Sequence, residues 1–335
     1  MDRLEKKNRF DGSLRFTAKD FFKLSGREKQ AGLREEEKIF GHFGDPETYL
    51  IKEEYLTYRS CVCGDNCASL LFVKHGFRFI VCGRCGFLYV NPILKNETYL
   101  EFYKNEESWF EVLQNPVQVE LDNLKFSYGL EIIERYLKRR GKLLDIGCGN
   151  CGFLDAARKK GWNNSSGTEY NLKALEIAKA KGHVVINAGI NDPYFSGKTF
   201  DVITLWEVLE HVPDPRAEIH DVSALLNPGG SVFILVPNRD SLINRMLREK
   251  SGSFTGHCHI NFFNAKILGA LLKEAGFSVL HVETVISELG NVRNYLDYGD
   301  AYAGAAKNDL AFLTPALIHD NLLGCKLLVL ARKNT

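Results

Sequence analysis

The sequence has almost no net charge: 43 Lys and Arg stand against 42 Asp and Glu. So balanced a chain lacks the basic footprint that nucleic acids or anionic surfaces demand, and no basic, aromatic-interleaved patch supplies one locally. No apolar run approaches the roughly 18 residues of a membrane-spanning helix. The charged start, Met1–Lys7, has no signal-peptide core. These absences predict a soluble, cytoplasmic protein with no nucleic-acid partner and no membrane span; they say nothing of oligomeric state. What remains is ordinary globular material, 45% hydrophobic and 25% charged. At 335 residues, one large domain plus a smaller one is expected. Cysteine is not scarce. There are nine, five of them between Cys61 and Cys85, a crowding that points to metal rather than disulfides.

The chain is organised around Leu143-Leu144-Asp145-Ile146-Gly147-Cys148-Gly149-Asn150-Cys151-Gly152. An apolar run ends in an acid, a glycine-rich turn follows, and then come the helically spaced Phe153, Leu154, Ala156 and Ala157. Glycines let the backbone turn sharply and let a ligand lie against it. Gly147, Gly149 and Gly152 also fit a dinucleotide fingerprint, a weak signal alone. Asp145 argues against that ligand, because a pyrophosphate at a helix N-terminus is repelled by a carboxylate beside it. A cationic ligand is attracted. A second acid, Glu169, closes the next strand and can accept both hydroxyls of a ribose. S-adenosylmethionine (SAM) fits both, being a nucleoside with a sulfonium, an ammonium and no phosphate. The remaining readings are an NAD-dependent dehydrogenase, which Asp145 disfavours, and a silent scaffold, which an intact donor site disfavours.

Leu143 to Gly149 resembles the first motif of the class I SAM-dependent methyltransferases. Phe200-Asp201-Val202-Ile203-Thr204-Leu205-Trp206-Glu207-Val208-Leu209-Glu210-His211-Val212-Pro213-Asp214-Pro215 resembles their fourth-strand motif, in the form found in the ubiquinone-biosynthesis O-methyltransferases. Leu226-Asn227-Pro228-Gly229-Gly230 resembles the turn before their fifth strand. The similarity runs from about 141 to 285. It implies an α/β fold, a doubly wound, seven-stranded, mostly parallel Rossmann-like sheet whose last strand is inserted antiparallel. Strands are expected near 142–146, 164–169, 183–187, 200–206, 231–236, 277–286 and 323–331. Helices are expected near 152–161, 171–181, 214–226 and 264–275, the last capped by Asn264.

The resemblance implies a cofactor site of Asp145 and the turn after it (Gly147, Cys148 and Gly149), which approaches the methionine part of SAM, of Glu169, which holds the ribose, with Tyr170 next to it, and of Ala188 and Gly189, which flank adenine. Leu205, Trp206 and Glu207 should face the methyl group. Relatives often place an acid against the adenine amino group; here only Asn191 or Asp192 could serve. Cys148 and Cys151 read as packing. Glu207, Glu210 and His211 match a divalent-metal set in the ubiquinone enzymes and would share one helical face; the rival reading is a loop cap. In Gly256-His257-Cys258-His259, alternation in an extended segment would aim His257 and His259 the same way. Together with His211 they are the candidates for a catalytic base.

Upstream, Cys82-Gly83-Arg84-Cys85-Gly86 is a thiolate knuckle, and Cys63-Gly64 is half of another. Ser60 stands where a fourth cysteine would complete it, so the fourth ligand is Cys61, favoured here, or Cys67. Two knuckles and a hairpin make a four-cysteine structural zinc ribbon. Ribbons of this look precede the catalytic domain in some small-molecule and sugar methyltransferases. The expected organisation is a charged segment over 1–58, the ribbon over 59–92, an aromatic-rich helical cap over 93–140 and a methyltransferase domain over 141–335. An insertion over 287–321, with Asn291, Tyr295, Tyr298 and Tyr302, is expected to shape the acceptor pocket. The expected reaction is methyl transfer from SAM to a small molecule, on oxygen rather than carbon. The alternative is a nucleic-acid or protein methyltransferase that uses the ribbon for recognition.

Overall fold

A computed structural model describes residues 39–105, 115–137, 139–289, 292 and 312–335. Most of the charged 1–40 segment, Trp109 and Phe110 of the cap, and Asn291, Tyr295, Tyr298 and Tyr302 of the insertion lie outside the described residues.

Three short strands open the described chain: β1 (Gly44–Asp45), β2 (Leu50–Ile51) and β3 (Leu56–Thr57). A hairpin follows, β4 (Ala68–Lys74) and β5 (Phe77–Cys82), then β6 (Leu88–Val90) and β7 (Ile93–Leu94). The hairpin turns at His75-Gly76, both with positive φ, a conformation glycine adopts at little cost. Two helices come next, α1 (Asn96–Asn105) and α2 (Pro116–Tyr136). The α/β unit then reads β8 (Leu143–Ile146), α3 (Gly152–Lys159), β9 (Ser165–Thr168), α4 (Leu172–Ala180), β10 (Val184–Ile186), β11 (Phe200–Trp206), α5 (Pro215–Leu225) and β12 (Leu226–Pro237). It ends with α6 (Leu242–Leu247), β13 (Asn261–Phe262), α7 (Ala265–Glu274), β14 (Phe277–Val285), α8 (Pro315–Asp320) and β15 (Lys326–Lys333).

Seven strands form the central sheet in the order β10-β9-β8-β11-β12-β15-β14. The first five are parallel, and β15 runs antiparallel between β12 and β14, as expected. The inner strands are buried on both faces, which is why β8, β11 and β12 read as nearly continuous apolar runs. Side-chain caps set the helix starts. Asn171 accepts from Lys173 N and Ala174 N, Asp214 caps α5 ahead of Pro215, and Asn264 accepts from Ile267 N. One face of the sheet packs α2 and α3 through Phe126, Phe153, Trp206 and Phe233. The other face carries α5 and α7. The strand order reverses between β8 and β11, so a crevice opens at the carboxyl ends of those two strands.

The cysteine-bearing hairpin has its own four-stranded sheet, β13-β6-β5-β4. Its outermost member on one side, β13, belongs to the α/β unit: Asn261 and Phe262 pair with Tyr89 and Leu88. Phe254, Ile260 and Phe262 join Phe72, Phe79 and Val90 in one apolar cluster, with the Phe79 and Phe262 rings 5.5 Å apart. Ring pairs of this kind add about 0.5–1.5 kcal/mol each beyond area burial.

Candidate functional site

Asp145 ends β8 as a buried carboxyl, and its Oδ1 accepts from the Thr204 hydroxyl of β11 at 2.7 Å. Burial pushes its pKa up to about 8; the Thr204 bond opposes this and the Glu169 charge adds to it. The turn that follows has φ of 65° at Gly147 and 51° at Gly149. Glu169, also buried, closes over this turn. Its Oε2 accepts from Gly149 N at 2.9 Å, and its Oε1 from Tyr170 N and Asn171 N at 2.7 and 2.9 Å. The buried Tyr103 hydroxyl of α1 also bonds Glu169, and burial pushes that phenol's pKa well up. The N–H that a pyrophosphate would need is therefore already held by a carboxylate. Tyr170 lies over Gly189, where a Cβ would come within 2.4 Å of its hydroxyl. Thus Asp145, Gly147, Cys148, Gly149 and Glu169 meet at one turn, with Tyr170, Ala188 and Gly189 alongside. Asp192 is committed to Tyr194 N as the cap of a short helical turn. Cys148 and Cys151 are buried with sulfurs 3.9 Å apart, and the Cys151 bond and burial push the Cys148 thiol up, which suits packing rather than nucleophilic work.

The end of β11 departs from expectation. Leu205 and Trp206 are core residues, the indole wedged among Phe126, Phe153 and Phe233. The Glu207 carboxylate is held by Lys125 at 3.3 Å and Lys326 at 2.9 Å. These cations outweigh burial and keep its pKa well below the usual carboxylate range. Residues 207–211 form turns, not a helix, with Glu207 at φ 57°. Glu207, Glu210 and His211 therefore do not share a helical face, and Glu207 is spent on two lysines rather than on a metal.

His211 instead turns toward the segment before β13. Its Nδ1 bonds the Cys258 carbonyl at 3.0 Å, and its ring lies 5.0 Å from that of His259. Bends over 256–258 break the alternation that would aim His257 and His259 together. His211 and His257 line a small cavity with Ile93, Leu94, Tyr99 and Pro213; His259 sits behind, its Nδ1 on the Ser253 carbonyl at 3.0 Å. The cavity walls thus come from β7, from α1 and from the α/β unit.

Two residues that sequence reasoning passed over hold this junction. Arg59 bonds Val90 O, Pro213 O, Ile260 O and Asn261 Oδ1, at 2.7–3.2 Å. Burial lowers its pKa to about 10. Asn261 in turn donates to Leu209 O and Val212 O. Their partners lie up to 202 residues away along the chain, so no local pattern announces them.

The sulfurs of Cys61, Cys63, Cys82 and Cys85 all lie within 4.8 Å of one another. Cys67 is exposed and outside this group; its carbonyl accepts from Gly83 N. Of the two candidates left open, it is Cys61 whose sulfur groups with the other three. Four converging thiols around one point fit a closed tetrahedral metal site.

A family model described as a methyltransferase domain matches residues 123–282. The ubiquinone biosynthesis O-methyltransferase of Erwinia tasmaniensis is 35% identical over 111 residues, 30% of this chain and 44% of the relative. This chain carries a class I SAM-dependent methyltransferase domain. An uncharacterised protein of Methanocaldococcus jannaschii is 29% identical to it over 164 residues, 49% of this chain and 77% of that protein. A crystal structure of a SAM dependent methyltransferase from Archaeoglobus fulgidus aligns with a TM-score of 0.46 at 18% identity, over 68% of this chain and 100% of that one. The chain spans about half the length of the ubiquinone-biosynthesis relatives it matches.

Proposed function

We propose that this protein transfers the methyl group of SAM to a hydroxyl oxygen of a small molecule bound beside His211 and His257. The observation that carries the donor half is the Glu169 carboxylate on Gly149 N, with Asp145 buried next to it. Two acids at this turn suit a cationic nucleoside and repel a pyrophosphate. SAM supplies an electrophilic methyl group and a neutral sulfide as leaving group. The chain's part is alignment: Asp145 meets positive charge, Glu169 exchanges the Tyr103 hydroxyl for ribose hydroxyls, and the walls exclude water. His257 lines the cavity wall, and in this reading it takes the acceptor's proton.

The balanced charge and the lack of a basic, aromatic-interleaved patch support a small-molecule acceptor over a nucleic acid; the cavity itself, about 10 Å³, is only water-sized and has to widen to admit an acceptor. The four-cysteine group is read as a structural zinc site, with 59–92 as the ribbon, 93–140 as the cap and 141–335 as the catalytic unit. No helix among the described residues is long and apolar enough to cross a membrane. Nine free thiols suit a reducing compartment, and the cytoplasm is proposed on that ground. A SAM-dependent screen of hydroxylated metabolites, read by mass, tests the reading. A gain of one methyl group on an oxygen supports it, and methylation confined to RNA or protein would replace it.

A further inference from the structure

We propose a second metal site, formed by His211, Cys258 and His259, with one coordination position left for the acceptor. It departs from the Glu207, Glu210 and His211 set that the resemblance implied. One ligand atom from each of the three residues lies within 4.8 Å of the others. Both imidazoles are fixed as metal-binding histidines usually are, each Nδ1 on a backbone carbonyl at 3.0 Å. That fixes the tautomer and leaves the two Nε2 atoms for a cation. The Cys258 sulfur is buried and held by the Thr255 hydroxyl at 3.1 Å, and the same hydroxyl accepts from His259 N. Glu210, next to His211 in the chain, adds an independent observation. Both of its carboxylate oxygens are fully buried, and neither has a hydrogen-bond partner. A buried carboxylate with no hydrogen-bond partner is costly, and positive charge gathered at its neighbour His211 would offset part of that cost.

Two nitrogens and one thiolate select zinc, or cobalt as its spectroscopic substitute. Three protein ligands also mark the open, catalytic type of site, unlike the closed four-thiolate group. Of the three ligands, His211 is the one that lines the cavity, and it links the proposed metal to that recess. The ligand class is an acceptor bearing a hydroxyl or enolisable carbonyl oxygen, which the metal would bind and make easier to ionise. This role rests on the methyl-transfer reading; the metal count does not.

The test is metal content of the full chain after zinc saturation and dialysis. Two equivalents are expected in the parent protein, and one in Cys258→Ser and in His259→Asn. X-ray absorption of the parent protein gives a check that needs no variant: a mixed nitrogen and sulfur shell is expected. One equivalent with a sulfur-only shell, or two equivalents kept in both variants, overturns the proposal. SAM titration of the same sample separates the two readings. A one-zinc protein that binds SAM loses only this site, whereas a two-zinc protein that does not bind SAM loses only the methyl-transfer role.

Discussion

Asp145 holds its proton when buried, with a pKa of about 8 against an ordinary 3.8. To meet a cation it must release that proton. SAM binding should therefore tighten as pH rises toward 8, by up to about 10-fold per pH unit, and level off above it. The unliganded protein should show the opposite trend. Its folded form binds the extra proton between pH 3.8 and about 8, so stability from this group is lost as pH rises through that window. Calorimetry across pH checks both, and Asp145→Asn should flatten the binding curve. A second residue-scale expectation concerns the sulfurs. Cys61→Ser should abolish the four-thiolate zinc, whereas Cys67→Ser should keep it and change stability by less than about 0.5 kcal/mol. Zinc analysis of the two variants decides. The acids and the knuckle were legible as residues because motif spacing is local. The fourth thiol was only half legible, since sequence spacing could not say which side of Cys63 folds back.

At the scale of elements, strands and helices of the α/β unit fell where apolar runs and caps put them; Asn264 caps α7 as its position suggested. Two short helices, α6 and α8, went unannounced, each too brief to show a periodicity. The segment after β11 misled for a clear reason: its spacing of acids and histidine suits a helix, but turns and Pro213 intervene. β13 was invisible, because two residues carry no alternation and its partner strand lies far upstream. Arg59 holds this junction. Arg59→Ala should leave several buried carbonyls unpaired and cost about 3 kcal/mol. Arg59→Lys should rescue little, since an ammonium cannot span the fork that reaches Pro213, Ile260 and Asn261. Thermal or urea unfolding of both variants measures this.

At the scale of the whole molecule, the cysteine-bearing hairpin is not an appendage. Its sheet is completed by β13, and its core includes Phe254, Ile260 and Phe262 of the α/β unit. A metal held by the four thiolates therefore ties both parts together: its removal from the full chain by a chelator should lower the melting temperature of the methyltransferase domain too, as one transition rather than two. Two separate transitions on chelation would refute that coupling. Length suggests one large domain plus a smaller one, and it carries no information on the contacts between them. The central claim is narrower: two buried carboxylates at one glycine turn select a cationic, phosphate-free nucleoside. Its most direct measurement is calorimetric titration of the full chain with SAM and with NAD. The account predicts saturable SAM binding, none by NAD, and a loss of about 10- to 100-fold in affinity for SAM in both Asp145→Ala and Glu169→Ala. Parent-like SAM affinity in both variants, or tight NAD binding, would contradict it.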